Sequence, residues 1–265
     1  MLNRILVGYT ESEQGQDAIA LGCVLAQAGN AEMMLSTIPD ENGVGLAEIA
    51  RDNGVDLIVL GSSHRGSLGR VVPGATVERL IGSTPCPVVV APSGFGHLDE
   101  GDCGWRPLGG GPEDPGLRVI GVGYDGSSGA RQALETAVEL ALPNGAALRV
   151  YAVAPTFAHL PGGDGDSRGP NVPTEAEVLR QLLHDAVAEL PAEVRALPVF
   201  IRGEPANELV KATAAGVDLL VLGCRGGGPL RRLLHHSVTS TVVREASCPV
   251  MISPTGVMAP TAALV

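Results

Sequence analysis

Short apolar runs alternate with amphipathic stretches along the chain, and the second half shows this pattern most fully. The runs LRVIGVGY, from Leu117, and VDLLVLG, from Val217, are β-rich and apolar. Residues 127–145 and 174–191 instead place apolar side chains near helical spacing, and the second stretch opens with the capping-box spacing T-x-x-E. Strands that alternate with helices predict a parallel, doubly wound α/β sheet over residues 117–254.

The same unit occurs twice along the chain. The segment VGYTESEQGQDAIALGCVLA, from Val7, resembles VGYDGSSGARQALETAVELA, from Val122, at an offset of 115 residues. The segment GVDLIVLGS, from Gly54, matches GVDLLVLGC, from Gly216, at an offset of 162 residues, and TPCPVVVAPSG matches ASCPVMISPTG at that same offset. The first copy therefore lacks 47 residues from its middle. We expect it to be a reduced α/β layer without a counterpart of the second helix and third strand.

The repeat divides the chain into four regions. Residues 1–92 form the N-terminal repeat and residues 117–254 the C-terminal repeat. Residues 93–116 are rich in glycine, proline and acid and are interpreted as a linker, and residues 255–265 form a tail. We expect the two sheets to face each other as a pseudo-dimer. The last strands, PVVVA and PVMIS, should pair antiparallel or lie adjacent, because each is otherwise an apolar edge.

Composition narrows the classes of partner. The chain has 18 basic and 29 acidic residues, a net charge of −11, and only 3% aromatic residues. This balance argues against binding to nucleic acid or to an anionic membrane. The five cysteines are scattered without a C-x-x-C pair, which indicates reduced thiols. With no signal peptide or membrane-length apolar run in the sequence, we expect a cytoplasmic protein.

The candidate chemistry lies in glycine-rich loops that follow the fourth strand of each repeat. The second loop reads GCRGGGPLRRLLHHSV, from Gly223, and the first reads GSSHRGSLGRVVPGAT, from Gly61. Ligands of doubly wound sheets bind beyond the carboxyl ends of the strands, where small residues let backbone N–H groups approach an anion. Arg225, Arg231 and Arg232 add positive charge to the second loop and favour a phosphate. The alternative is that these glycines only end strands and turn the chain.

Other motifs are weaker. The series from Gly121 to Gly126 fits G-x-G-x-x-G, but a dinucleotide site also requires an acidic residue at the end of the second strand, which reads AVAP. The P-loop motif G-x-x-x-x-G-K-[ST] is absent from the sequence. His235 and His236 are adjacent on one loop without a nearby cluster of acids or thiols, so they are poor candidates for metal ligands.

Taken together, the motifs resemble those of the universal stress protein family. The shared marks are a first strand ending in V-D-G-S, a strand like DLIVMG, a glycine loop ending in G-[ST], and a final C-P-V strand. The resemblance covers both repeats. It implies tandem flavodoxin-like or Rossmann-like parallel sheets of the adenine nucleotide alpha hydrolase type, the first reduced. It also implies dimer-like pairing through the last strand and, in one subclass, ATP binding.

The resemblance carries a set of binding residues onto the C-terminal repeat. Asp125 matches the residue that contacts the nucleotide, and Val153 matches the residue beside the adenine. Gly223 and Gly226 match the first two glycines of the loop, and Ser237 matches its final serine. These residues are Asp125, Val153, Gly223, Gly226 and Ser237, with no catalytic or metal-binding residue among them.

Both repeats depart from the family pattern. In the C-terminal repeat His236 replaces the last glycine of the loop. In the N-terminal repeat Thr10 replaces the aspartate, His64 the second glycine and Ala75 the serine, while Gly61 and Gly74 remain. We therefore expect one nucleotide site per chain, in the C-terminal repeat.

The resemblance predicts a regulatory protein that binds ATP or a related adenine nucleotide, with or without Mg²⁺, and is not an enzyme. Two alternatives stay open: a ligand-free dimerisation or interaction module of the same fold, and a slow adenine-nucleotide hydrolase. Fold alone does not decide between them. The expected partners are an adenine nucleotide and the chain itself, as an intramolecular pseudo-dimer or a homodimer.

Overall fold

The computed structural model describes residues 2–38, 44–63, 69–72, 74–80, 84, 86–96, 117–156, 174–224 and 238–254. Strands and helices alternate along these residues, which confirms the predicted α/β class. The strands are β1 (Arg4–Tyr9), β2 (Glu32–Thr37), β3 (Leu57–Gly61), β4 (Val88–Ala91), β5 (Val119–Gly123), β6 (Ala147–Ala154), β7 (Ala196–Arg202), β8 (Leu219–Gly223) and β9 (Val250–Ser253). The helices are α1 (Glu13–Gly29), α2 (Val44–Asp52), α3 (Ala75–Leu80), α4 (Ser128–Asn144), α5 (Glu175–Ala188), α6 (Pro205–Thr213) and α7 (Val238–Glu245).

All nine strands belong to one sheet, in the order β2-β1-β3-β4-β9-β8-β5-β6-β7. Neighbours are parallel except at the centre, where β4 and β9 pair antiparallel, with Val89 opposite Met251. The predicted pairing of the last strands is therefore confirmed. The two sheets do not face each other as predicted but join edge to edge, because this pairing satisfies the backbone groups of both apolar edges. Strands of the two repeats consequently point in opposite directions.

Helices cover both faces of this sheet. Helices α1, α4 and α5 contribute buried apolar residues to one core, and α2, α3, α6 and α7 contribute to the other. The strands β3 and β8 separate the two cores, and their first four residues are buried. This double cover explains why the GVDL segments read as continuous apolar runs. No helix within the described ranges combines the length and the hydropathy needed to cross a bilayer.

The aspartate of each GVDL segment anchors the start of the neighbouring strand. Asp56 Oδ2 accepts hydrogen bonds from the N–H groups of Asn3 (2.7 Å) and Arg4 (3.0 Å). In the second repeat Asp218 Oδ2 accepts from Val119 N–H at 2.8 Å and from the preceding residue at 2.9 Å. The duplicated aspartate thus links the start of β3 to the start of β1 in one repeat. In the other repeat it links the start of β8 to the start of β5.

The helix ends follow local sequence signals. Thr174 and Glu177 form the predicted capping box at the start of α5, with each side chain bonded to the other residue's backbone N–H. The Thr174 N–H (2.7 Å) and the Thr174 hydroxyl (2.9 Å) both donate to the Glu177 carboxylate and lower its pKa. Helices α1 and α4 end at left-handed residues, Asn30 (φ 50°) and Gly145 (φ 59°). Both residue types tolerate positive φ better than residues with larger side chains.

The first residues of the predicted linker pack against the N-terminal repeat. The Asp17 carboxylate is fully buried on α1 and accepts hydrogen bonds from the N–H groups of Gly94 (2.9 Å) and Gly96 (2.8 Å). Phe95 between them is buried in the same core as α1. Residues 93–96 therefore extend the N-terminal repeat.

The buried thiols should be unreactive in the folded protein. Burial raises the pKa of Cys86 and Cys224 to about 11 and raises that of Cys248 further, whereas Cys23 is exposed. Because the thiolate is the reactive species, we expect only Cys23 to react rapidly with Ellman's reagent at pH 8 in a Cys103→Ser variant. Unfolding in denaturant should expose the remaining thiols to the reagent. Rapid reaction of a second thiol in the native protein would contradict this burial.

Candidate functional site

The carboxyl ends of β5 and β8 form the point where the topology of the C-terminal repeat switches direction. These strands pair directly, with Val122 beside Val221. The chain leaves β5 into α4 on one face, whereas α6 before β8 and α7, the next described helix after it, pack on the other face. Divergent connections of this kind open a crevice at the edge of the sheet, where doubly wound proteins bind ligands.

Asp125 lies in the turn that joins β5 to α4. Its Oδ1 accepts a hydrogen bond from Ser127 N–H at 3.0 Å, and Ser127 Oγ accepts one from Ala130 N–H at 3.2 Å, which caps α4. Gly126 has φ +78°, and a Cβ at this position would lie 3.0 Å from Leu182 Cδ1. The hydrogen bond of Asp125 and the left-handed conformation of Gly126 therefore define the turn, and Leu182 of α5 lies close to it. The role of Leu182 had no signal in the sequence, because α5 is far from this turn along the chain.

Gly223, the first glycine of the loop, has a packing role. A Cβ on Gly223 would lie 2.2 Å from the carbonyl carbon and oxygen of Gly129 in the first turn of α4. The same contact occurs in the N-terminal repeat, where a Cβ on Gly61 would lie 2.0 Å from Gln14 O. Glycine at this position lets the strand end approach the helix backbone. Gly129 was missed in the sequence analysis, although its position after the capping serine was a signal.

Val153 completes the described part of this edge. Gly123, the last residue of β5, is paired with Tyr151 of β6, so Asp125 and Val153 both lie toward the carboxyl end of these neighbouring strands. Val153 is half-buried and packs against the core of the face that α6 and α7 cover. Asp125, Val153 and Gly223 thus lie at the carboxyl ends of the neighbouring strands β5, β6 and β8. Gly226 and Ser237 lie outside the described residues, as do Arg225, Arg231, Arg232, His235 and His236.

The G-x-G-x-x-G series is explained by side-chain packing. A Cβ on Gly121 would lie 3.0 Å from Val217 Cγ1, and a Cβ on Gly123 would lie 2.6 Å from Leu222 Cδ2. The N-terminal repeat repeats the second contact, because a Cβ on Gly8 would lie 2.7 Å from a methyl group of Leu60. Gly121 and Gly123 therefore make room for neighbouring apolar side chains, which removes the main observation that suggested a dinucleotide site.

The corresponding edge of the N-terminal repeat is built differently. Thr10 replaces the aspartate, and its Oγ1 lies 2.8 Å from Ser12 Oγ. Gln14 stands where the C-terminal repeat has Gly129, and its Oε1 is buried without a hydrogen-bond partner among the described residues. The Gln14 Cβ lies 3.2 Å from the point that a Cβ on Gly61 would occupy. A side chain therefore lies where the other repeat has none. His64 falls outside the described residues.

The end of the first glycine-rich loop contacts the other repeat. Val71 N–H donates to Ala246 O at 3.0 Å, and the Arg70 guanidinium donates to the carbonyl oxygen of Glu245. Within the loop Ser62 Oγ accepts from Val72 N–H at 2.5 Å. This part of the loop joins the two repeats at the turn between α7 and β9. Gly74 follows in open surroundings, and Ala75 begins α3.

The polar groups of the C-terminal crevice suit hydrogen bonding. The exposed Asp125 carboxylate could accept hydrogen bonds from ligand hydroxyls or contact a ligand-bound Mg²⁺. Across the ranges that the structure describes, no group of three or more His, Cys, Asp or Glu residues could hold a metal ion. Half-buried Val153 offers an apolar side chain at the same end of the sheet.

Comparisons with known proteins agree with the fold. The family model described as "Universal stress protein family" matches residues 41–92 and 116–254. A universal stress protein of Mycobacterium tuberculosis is 29% identical over 259 residues, which cover 93% of this chain and 79% of that relative. A universal stress protein of Bacillus subtilis is 31% identical over 142 residues, 49% of this chain and 95% of the relative. A solved universal stress protein of Archaeoglobus fulgidus superimposes with a TM-score of 0.60 at 16% identity, covering 95% of this chain and 96% of its own.

Proposed function

The chain belongs to the universal stress protein family, and from this premise we propose that its C-terminal repeat binds ATP or a related adenine nucleotide as a regulatory module. The observation that supports the proposal is the position of Asp125, Val153 and Gly223 at the carboxyl ends of β5, β6 and β8, which are neighbouring parallel strands. This combination supplies a carboxylate for ribose hydroxyls, an apolar surface for the base, and a glycine at the start of the phosphate-side loop.

The N-terminal repeat is not part of this proposed site. Its Thr10 offers no carboxylate, and Gln14 brings a side chain to the position that Gly129 leaves open. Because β4 and β9 are antiparallel, the strands of the two repeats have their carboxyl ends at opposite ends of the sheet, and so do the two crevices. One nucleotide per chain is therefore the expected stoichiometry.

Titration calorimetry of the full chain with ATP tests the proposal. We expect one site per chain, and we expect Asp125→Asn to weaken binding at least tenfold, about 1.4 kcal/mol. Asparagine keeps an acceptor for Ser127 N–H, so this variant removes the charge while it preserves the turn. The matched control is Thr10→Ala at the equivalent position of the other repeat, which should leave the affinity unchanged.

The same titrations should be run with and without Mg²⁺ and with ADP and AMP. Binding at two equal sites, or ATP binding unchanged by Asp125→Asn, would overturn the assignment of the site. Failure to detect binding at millimolar ATP would favour the ligand-free interaction module. Phosphate release should be absent or far slower than the ~1–10³ per second of ordinary enzymes. Turnover in that range, abolished by Asp125→Asn, would support the hydrolase instead.

A further inference from the structure

The strand β2 forms one outer edge of the nine-stranded sheet, with no described strand on its outer side. The N–H groups of Glu32 and Ile38 donate to β1, at Asn3 O (2.8 Å) and Tyr9 O (3.1 Å). Because backbone groups alternate in direction along a strand, those of Met33, Leu35 and Thr37 point outward. Such a row of outward donors and acceptors is a template for another strand.

The C-terminal repeat shows how the equivalent surface is covered. Leu35 is 52% exposed, whereas Val150, its equivalent on β6, is fully buried. Strand β7 extends the sheet beside β6, and α5 packs over both strands. The 47 residues that the N-terminal repeat lacks include this helix and strand. The shortened repeat therefore leaves Leu35 exposed on this face of β2.

The opposite edge of the sheet is protected against pairing. Leu148 N–H of β6 donates to Arg195 O at 2.8 Å, which directs the backbone of Pro198 outward. Proline has no N–H group, and edge strands that carry it resist the addition of another strand. The range Glu32–Thr37 contains no proline. The two edges of the sheet therefore differ in their capacity to pair.

We propose that β2 is a homodimerisation edge, at which a second copy of this chain adds its own β2 in antiparallel orientation. The register with the most backbone pairs is centred on Leu35, which then faces Leu35 of the second copy, while Met33 faces Thr37 of that copy. Each outward residue of β2 gains a partner in this register. A twofold arrangement is closed, so it produces dimers and not filaments.

The charged side chain of β2 is compatible with this antiparallel pairing. Glu32 is the charged residue of β2, and its Oε2 lies 3.1 Å from Arg4 Nη2 of the same chain. In the Leu35-centred register Glu32 lies opposite Ile38 of the second copy, so like charges do not meet across the strands. The contact area of one strand pair is small, so the dimer is expected to be in reversible equilibrium with the monomer.

Sedimentation equilibrium of the full chain, from about 1 µM to about 300 µM, tests the proposal across the range expected of a small interface. We expect a monomer–dimer equilibrium for the natural chain. Leu35→Lys should shift it to monomer at all these concentrations, because the introduced charges would face each other. The matched control is Leu197→Lys on the opposite edge strand, where leucine is 57% exposed; it should dimerise like the natural chain.

A charge-reversal pair separates loss of pairing from loss of folding. A mixture of Leu35→Lys and Leu35→Glu should form heterodimers, although each variant alone stays monomeric. A natural chain that remains monomeric at about 300 µM would overturn the proposal. Equal loss of dimer in Leu197→Lys, or no loss in Leu35→Lys, would also overturn it. These results do not depend on nucleotide binding, which is measured at the other repeat.

Discussion

Gly223→Ala is expected to lower the free energy of unfolding by about 3 kcal/mol, because the added methyl group collides with backbone that cannot move aside alone. The nearest atoms are the carbonyl carbon and oxygen of Gly129, each 2.2 Å from the position of the new Cβ. Relief requires β8 and α4 to separate. Denaturant unfolding followed by circular dichroism measures the effect as a lower midpoint.

Two further glycines provide the comparison. Gly61→Ala in the N-terminal repeat should cost a similar amount, because its Cβ would lie 2.0 Å from Gln14 O. Gly74→Ala is the control, since its nearest neighbour is Ser63 Cβ at 3.8 Å and its φ is not in the left-handed region. That variant should change stability by less than about 0.5 kcal/mol. A Gly223→Ala protein as stable as Gly74→Ala would show that the strand end and helix are not in close contact.

The second large effect is expected for the aspartates of the two GVDL segments. Asp218→Ala removes the acceptor of two backbone N–H groups at the start of β5, and Asp56→Ala removes the equivalent acceptor at β1. Hydrogen bonds to a charged group contribute about 1.5–3 kcal/mol each, less where water replaces them. Because one donor of each pair is exposed, we expect each variant to lose about 2–3 kcal/mol.

A double variant of the two aspartates and a surface aspartate variant serve as controls. The two aspartates act in different repeats without a shared partner, so the double variant should lose about the sum of the single effects. Asp52→Ala, at an exposed position at the end of α2, should change stability by less than about 0.5 kcal/mol. Losses of this small size in Asp218→Ala or Asp56→Ala would show that the carboxylates do not anchor the strands.

The effect at Gly223 links the fold to the proposed site. Gly223 determines how closely α4 approaches the end of β8, and the turn that carries Asp125 begins that helix. A displacement of α4 by Gly223→Ala should therefore weaken nucleotide binding as well as stability. Gly61→Ala should reduce stability without this effect on affinity, because Gly61 ends a strand of the N-terminal repeat, at the opposite end of the sheet from Asp125.

The sequence by itself determined the local helices and strands and showed that the two halves of the chain repeat the same unit. Apolar runs and helical spacing identified the alternating strands and helices, and the two offsets identified the repeat and its missing middle. The spacing of Thr174 and Glu177 identified a helix start to the residue. The apolar PVVVA and PVMIS strands predicted their own pairing. These features can be predicted from the sequence because hydrophobic periodicity and helix capping depend on residues only a few positions apart.

Tertiary structure decided what depends on residues far apart in sequence. It made one continuous sheet where two facing sheets were expected, since edge pairing satisfies backbone groups that facing sheets would leave exposed. It assigned Gly223 to contact with Gly129, and Asp218 to the start of a strand 100 residues earlier. It also placed β2 at an outer edge of the described sheet. Such contacts leave no period along the chain, because they depend on which elements become neighbours after folding.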